Sequence, residues 1–354
     1  MAETSGANAN GKPNGRTNGK STGKSNGKKR SISLALQGGG AHGAYTWGVL
    51  DRLSRDETLA IEAISATSAG AMNAVAYAAG LAKDGPAGAR AALEEMWRGV
   101  ADAGAGMGVF GAAGFQIASA LQTFASPYDL NPFNYNPLRR IVERQVDFDA
   151  VHASGLKLFL SATNVETGKV KVFSRDEITA DAVLASACLP QTFQAVEIAG
   201  QPFWDGGYMG NPSLFPLIYS GAPQDVLLVL LNPLERPGVP KRAAEIQERV
   251  NEISFNASLI GELRAIAFVQ RLIDDGMLKE PLLKKYRRLN IHAIRGGLDL
   301  INYGLATKYD TRWRFLTELR AKGYAAAETW LADCAGDVGT KTSSFDIRKE
   351  FLES

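Results

Sequence analysis

The stretch Ile61-Glu62-Ala63-Ile64-Ser65-Ala66-Thr67-Ser68-Ala69-Gly70-Ala71-Met72-Asn73-Ala74 decides how this chain is read. Its first half is apolar and β-branched enough to predict a buried strand over 61–66. Its second half opens an alanine-rich run that predicts a tightly packed helix over 69–82. Ser68 stands at the junction. A strand that turns directly into a helix at a serine meets the requirement of a nucleophile elbow, where the residues two before and two after the serine must be small. Here they are Ala66 and Gly70. The hydroxyl then projects over the free N–H groups of a helix start, which favour a developing oxyanion. Ala66 occupies a position where such elbows usually carry glycine. It fits sterically, but a positive φ there would cost more than with glycine. An ordinary small-residue turn reads the same way, so the motif does not stand alone.

Working outward, Ser31–Leu36 predicts an earlier buried strand, followed by Gly38-Gly39-Gly40-Ala41-His42-Gly43 and a helix over 44–55. Consecutive glycines bare several backbone N–H groups, which suits an oxyanion hole or a phosphate cradle. Gly38, Gly40 and Gly43 also fit the dinucleotide fingerprint, which needs an acid near the end of the second strand. That strand ends in Ala66-Thr67-Ser68, and its one acid, Glu62, lies near its start, so the fingerprint fails its context. Further on, Trp204-Asp205-Gly206-Gly207-Tyr208 follows an apolar run. The two glycines allow the carboxylate to approach another backbone closely, although a plain Asp-Gly turn has the same composition.

In this order the three motifs resemble the patatin-like phospholipase family, with its glycine-rich oxyanion loop, serine elbow and D-G-G aspartate. The likeness continues through Ser161-Ala162-Thr163-Asn164, Ala185-Ser186-Ala187-Cys188-Leu189-Pro190 and Asn211-Pro212-Ser213-Leu214-Phe215-Pro216. It implies a three-layer α/β/α fold with a largely parallel central sheet. It implies a serine lipid acyl hydrolase with Ser68 as nucleophile and Asp205 as base. The oxyanion hole would come from Gly38, Gly39 and Gly40, helped by the N–H of Ala69, with His42, Gly43, Ala66, Gly70, Gly206 and Gly207 as supporting motif residues. No cofactor or metal is implied, so calcium independence is expected. The family usually carries Arg or Lys at the position of His42, which would make a charge beside the loop pH-dependent; a packing role at a helix start is an equal reading.

Domain organisation is expected as a basic tail over 1–30, a catalytic domain over 31–235, and a mostly helical C-terminal extension over 236–354 packed on it. The strands and helices alternate in the α/β manner, with strands at 156–164, 169–173, 226–231 and 290–294 and helices at 180–187, 243–274 and 310–332. The tail has seven basic residues against one acid, a net +6, so the remaining chain carries −4 of the overall +2. It lacks an apolar core for a secretory leader and is too polar to repay the entropy of ordering. It suits transient contact with an anionic membrane or lipid-granule surface, and a solubilising linker has the same composition. Lys279, Lys284, Lys285, Arg287 and Arg288 form a second basic run that would seat an anionic surface or serve as a solvated helix end. The Gly/Ala-rich segment 100–125, with Met107, Phe110, Phe115, Ile117, Leu121 and Phe124, reads as a lipid-facing flap or an insertion packed on the core.

Three histidines (His42, His152, His292) argue against a histidine-built metal site, and Cys188 and Cys334 give neither a disulfide framework nor ligand spacing. A cytoplasmic protein, peripheral at most to a membrane, is expected. The partner is a lipid or other acyl ester, with no specific nucleic acid; oligomeric state is not encoded legibly. Two other functions fit the same residues: an intracellular polyester or small-ester hydrolase, and a non-catalytic lipid- or nucleotide-binding protein. A Ser68…Asp205…His292 triad would also satisfy hydrolase chain order, but His292 falls inside a strand-like run, where a catalytic imidazole is out of place.

Overall fold

The computed structural model describes residues 29–106, 125–343 and 345–352, with the backbone alone at 283–285 and 297–298. The tail ahead of Lys29 and the flap residues between 107 and 124 lie outside the described residues. Eight strands form one sheet: β1 (Arg30–Leu36), β2 (Leu59–Thr67), β3 (Lys157–Asn164), β4 (Val170–Ser174), β5 (Val196–Ile198), β6 (Gln201–Asp205), β7 (Asp225–Leu230) and β8 (Asn290–Arg295). Their order is β5-β6-β3-β2-β1-β7-β8, with β4 paired to β3 off this path. The five strands β3-β2-β1-β7-β8 are parallel, and β4, β5 and β6 run antiparallel to their neighbours.

The principal helices are α1 (Gly43–Leu53), α2 (Ala69–Gly106), α3 (Pro137–Gln145), α4 (Phe148–Ala153), α5 (Ala180–Ser186), α6 (Ala243–Asp274) and α7 (Trp313–Asp333). Every residue of β7 is buried, as a strand covered on both faces must be. One face packs Leu34, Leu36, Ile64, Leu227 and Val229 against α1, α2 and α7. The other packs Ala35, Leu228 and Leu230 against Leu259, Leu263 and Ile266 of α6. The result is a three-layer α/β/α fold. The region after residue 236 supplies one whole covering helix, α6, and the edge strand β8.

α1 and α7 cross at unusually short range. A Cβ on Gly48 would meet the Arg320 carbonyl oxygen at 2.0 Å, and one on Gly323 the Tyr45 carbonyl oxygen at 1.9 Å. α2 consists of two helical stretches joined where Asp84 and Gly85 leave helical geometry, Gly85 with φ +54° and Pro86 directly after it. Two helices not expected from the sequence, α3 and α4, begin at Asn136 and Asp147, whose side chains accept from Leu138 and Ala150 N–H groups as helix N-caps do. One helical turn, Pro127–Leu130, lies ahead of α3, and α7 begins three residues later than the helix expected from residue 310.

The sheet's topology brings the candidate residues together. Ala162 pairs with both Lys171 of β4 and Asp205 of β6, so these two strands lie on opposite edges of β3. β2 pairs with β3 as far as Thr67 opposite Ser161, and β6 takes over the same edge from Ala162 onward. Asp205 therefore stands directly beyond the end of β2, where Ser68 begins the turn.

Candidate active site

Ser68 has φ +56°, left-handed backbone that a non-glycine residue adopts only under compulsion. The compulsion comes from close packing around the turn. A Cβ on Gly70 would meet the Leu36 carbonyl oxygen at 2.4 Å, and one on Gly38 would meet Ser68 Cβ at 2.6 Å. The Ser68 N–H donates to Ser186 Oγ at 2.9 Å, and its carbonyl accepts from Met72 N–H at 3.1 Å as α2 begins. The positive φ thus falls on Ser68 itself. Ala66 remains in buried strand, and the backbone cost anticipated there does not arise.

The glycine loop is fixed from several directions. Gln37, fully buried, accepts from Leu231 and Asn232 N–H groups at 2.8 and 3.0 Å and donates to Asn256 Oδ1 at 2.9 Å. Gly38 N–H donates to Asn211 Oδ1 at 2.7 Å, and Asn211 Nδ2 donates to the Phe255 carbonyl at 3.2 Å. This corrects the expectation for Gly38: its N–H is spent on Asn211 and is not open to an oxyanion. Gly39, Gly40 and Ala69 line the cavity beside Ser68, and Gly38 does not. Gly40 has φ +58°, and a Cβ on it would meet the Lys308 carbonyl oxygen at 2.4 Å, so only glycine fits. Gly43 is equally pressed, its notional Cβ 2.5 Å from that of Ala69.

Asp205 is completely buried. Its N–H donates to the Cys188 carbonyl at 2.7 Å, its carbonyl accepts from Thr163 Oγ1 at 2.9 Å, and its Oδ1 accepts from Gly207 N–H at 2.7 Å. The glycines explain themselves: a Cβ on Gly206 would lie 2.1 Å from the Ser161 carbonyl oxygen, and one on Gly207 2.3 Å from the Phe255 ring. Burial pushes the carboxyl up to about 7, opposed by the Gly207 N–H, the Ser68 hydroxyl and the charge of Lys308. The Ser68 hydroxyl faces this carboxylate, yet Oδ2 has no donor at full hydrogen-bond geometry. A buried, anionic-capable oxygen without a settled donor beside a strained serine is the arrangement a proton acceptor requires.

The two residues open on a cavity of about 440 Å³, within the range of small-ligand sites. Met72, Trp97, Val100, Ile141, Leu189 and Phe193 give it apolar walls, and Val250, Phe255, Leu305 and Tyr309 close it from the C-terminal region. Lys308, in the 3-10 turn Leu305–Tyr309, is the basic residue in that lining.

His42 does not carry the pH-dependent charge anticipated for it. Burial, then the charge of Lys308, pull its imidazole down to about 3, so it is neutral. Its Nε2 pairs with Thr307 Oγ1 at 2.8 Å, and its ring centroid lies 6.1 Å from that of Tyr303 and 6.3 Å from that of Phe315. His292 is not among the residues that line the cavity. It is fully buried on β8, with Nε2 3.1 Å from Asp225 Oδ1 and Nδ1 2.7 Å from Ser343 Oγ, tying the sheet to the C-terminal segment. His152 Nε2 meets the Ile178 carbonyl at 3.0 Å. Cys188 is a buried thiol pushed up to about 12 by burial and by the nearby Asp205. In the second basic run, Arg287 donates to the Ile218 and Ala222 carbonyls and Arg288 pairs with Asp274, so both are anchored to the protein.

Three positions in the site escaped the sequence reading. Ser186 and Asn211 lay within motifs already noted but had no assigned task. Lys308, in Ala306-Thr307-Lys308-Tyr309, carries no local signal at all. Among the described residues no cluster of three or more His, Cys, Asp or Glu could hold a metal ion, and no helix is long and apolar enough to cross a membrane.

Comparison with known proteins matches residues 34–218 to the family model described as patatin-like phospholipase. No curated protein sequence matches the chain. Among solved structures, VipD from Legionella pneumophila is similar over 84% of this chain and 67% of its own, at 14% identity and a TM-score of 0.35.

Proposed function

The chain belongs to the patatin-like phospholipase family, and from that premise we propose that it hydrolyses lipid acyl esters through Ser68 and Asp205, by way of an acyl-enzyme. The observation that carries the reading is the strained Ser68 at the head of α2, facing a buried carboxylate inside an apolar cavity. Asp205 takes the Ser68 hydroxyl proton as Oγ attacks the ester carbonyl. The tetrahedral oxyanion is received by the N–H groups of Gly39, Gly40 and Ala69. The carbonyl re-forms, and the alcohol leaves with the proton from Asp205. Water then attacks the acyl-enzyme, gives its proton to Asp205, and releases the carboxylic acid as Ser68 regains its hydrogen. The acyl chain lies against Met72, Trp97, Ile141 and Phe193. Since the base acts as the anion, kcat/KM rises with pH through about 7, the value to which burial brings Asp205.

The cavity's walls favour an acyl chain over a polar substrate, which supports a lipid ester ahead of a short soluble one. The test is a panel of p-nitrophenyl esters, phospholipids, triglycerides and hydroxyalkanoate oligomers, run with wild type and Ser68→Ala. Hydrolysis of long-chain lipid esters that disappears in Ser68→Ala is expected. Activity confined to hydroxyalkanoate oligomers would reassign the substrate to a polyester, and no hydrolysis of any ester by wild type would reject the enzyme.

A further inference from the structure

Of the two charged side chains among the described residues of the cavity lining, Asp205 and Lys308, the ester mechanism leaves Lys308 unused. Lys308 is half-buried, and its Nζ donates to Asn232 Oδ1 at 2.8 Å and to Asn251 Oδ1 at 2.9 Å. Its ring neighbour is Phe255, 5.9 Å from Nζ to the centroid. Its backbone carbonyl presses on Gly40, and Asn232 Nδ2 donates to the Gly38 carbonyl at 3.3 Å. One residue from the C-terminal region thus touches the glycine loop through its main chain and, through one asparagine, through its side chain.

We propose that Lys308 is a positioning residue for the Ser68–Asp205 pair: its ammonium, in the same cavity lining as Asp205, favours the anionic, proton-accepting form of that buried carboxylate, while its backbone braces the glycine loop. This rests on the reading of Ser68 and Asp205 given above. A buried carboxylate with one N–H donor on one oxygen and none settled on the other needs a nearby positive charge to remain ionised. The charged groups around it have been assembled to provide one. From α6 come Glu248 and Glu252, which keep Lys308 protonated against the burial that lowers it to about 8. They are themselves clamped by Arg236, at 2.8 and 2.7 Å, and by Arg249, at 3.1 Å from Glu252. From the loop ahead of α1 comes His42, neutral and therefore no competitor. Around Asp205 the remaining titratable groups are Tyr208, Tyr309 and the thiol of Cys188, all raised by burial and uncharged near neutrality. Among the described residues, the ammonium is the cation that acts on the carboxylate.

The experiment follows kcat/KM for a soluble p-nitrophenyl ester from about pH 5 to about 9 in Lys308→Met, Lys308→Arg and Asn251→Asp. Removing the positive charge makes the Asp205 carboxylate harder to form, so the acidic limb of Lys308→Met moves to higher pH. A shift on the order of one pH unit is expected, a roughly tenfold loss on the limb, with little change near the alkaline plateau. Lys308→Arg keeps the charge and recovers at least part of the wild-type position. Asn251→Asp is nearly isosteric, lies on the partly exposed side of α6 and sets an anion against the ammonium. It moves the limb upward too, and serves if Lys308→Met does not fold. An acidic limb that stays in place in a cooperatively melting Lys308→Met or Asn251→Asp overturns the proposal. Mapping a fluorophosphonate adduct in the same proteins separates the two levels. A label on Ser68 with an unmoved limb removes Lys308 alone, and a label on another residue removes the underlying reading.

Discussion

At the scale of single residues, Ser68 and Asp205 each stand in a state the isolated chain would avoid. Ser68 is held at φ +56°, where a Cβ costs about 1–2 kcal/mol. Ser68→Ala keeps that strain and Ser68→Gly relieves it. Chemical denaturation should therefore find Ser68→Gly more stable than Ser68→Ala by about 1 kcal/mol, both being inactive. Equal stabilities would show that the turn is not strained. Asp205 gives the complementary case. Its folded carboxyl titrates near 7, well above an unfolded aspartate, so between those two values the folded state binds the extra proton. Stability from this group is therefore greatest below the unfolded value and is lost as pH rises through about 7. Asp205→Asn removes the titration, so its stability relative to wild type should grow as pH rises from 5 to 8, by about one to a few kcal/mol. Melting temperatures of the two proteins at both pH values check this; a wild type that gains on Asp205→Asn toward pH 8 would contradict it.

At the scale of elements, the site exists because β6 takes over the edge of β3 that β2 vacates, and because α1 starts next to α2. Asn73 secures that second contact, donating to the Gly43 and Ala69 carbonyls at 3.0 and 2.9 Å and accepting from Trp97 Nε1 at 2.9 Å. Behind α1, the Gly48–Gly323 crossing with α7 leaves no space for a methyl group. Gly323→Ala should cost about 1–3 kcal/mol in urea unfolding, as overpacking does, despite the better helix propensity of alanine. A stabilised Gly323→Ala would mean that the helices can separate without penalty. This scale also marks what was legible in the sequence. Elbow, glycine loop and Asp-Gly-Gly are local patterns whose small residues announce close backbone approach, and they could be read directly. The antiparallel β5–β6 pair could not, since β5 has three residues and shows no alternation long enough to score. Nor could the partners Ser186, Asn211 and Lys308, which sit 118, 173 and 76 residues from the groups they bond, so that only the folded sheet brings them near. His42 has two equal readings in the sequence, a pH-dependent charge or a packing role, and what separates them, burial beside Tyr303 and Phe315 and the charge of Lys308, comes from residues far along the chain.

At the scale of the whole molecule, the region after residue 236 is part of the core. It pairs β8 with the fully buried β7, lays α6 over one face of the sheet and α7 over α1, and lends the cavity Phe255, Leu305 and Lys308. A chain ending at residue 235 would expose β7 as an apolar edge, which invites aggregation. Such a truncation should be insoluble or lack a cooperative melting transition, whereas an intact transition would establish an independent domain. With the site assembled from both halves of the molecule, its chemistry is most directly tested by where a fluorophosphonate attaches. Digestion and mass spectrometry of the labelled full-length protein should find a single adduct, on Ser68. It should be absent from Ser68→Ala, strongly slowed in Asp205→Asn and retained in His292→Ala. An adduct on another serine, or labelling that survives Asp205→Asn and vanishes in a folded His292→Ala, would contradict a Ser68 nucleophile served by Asp205.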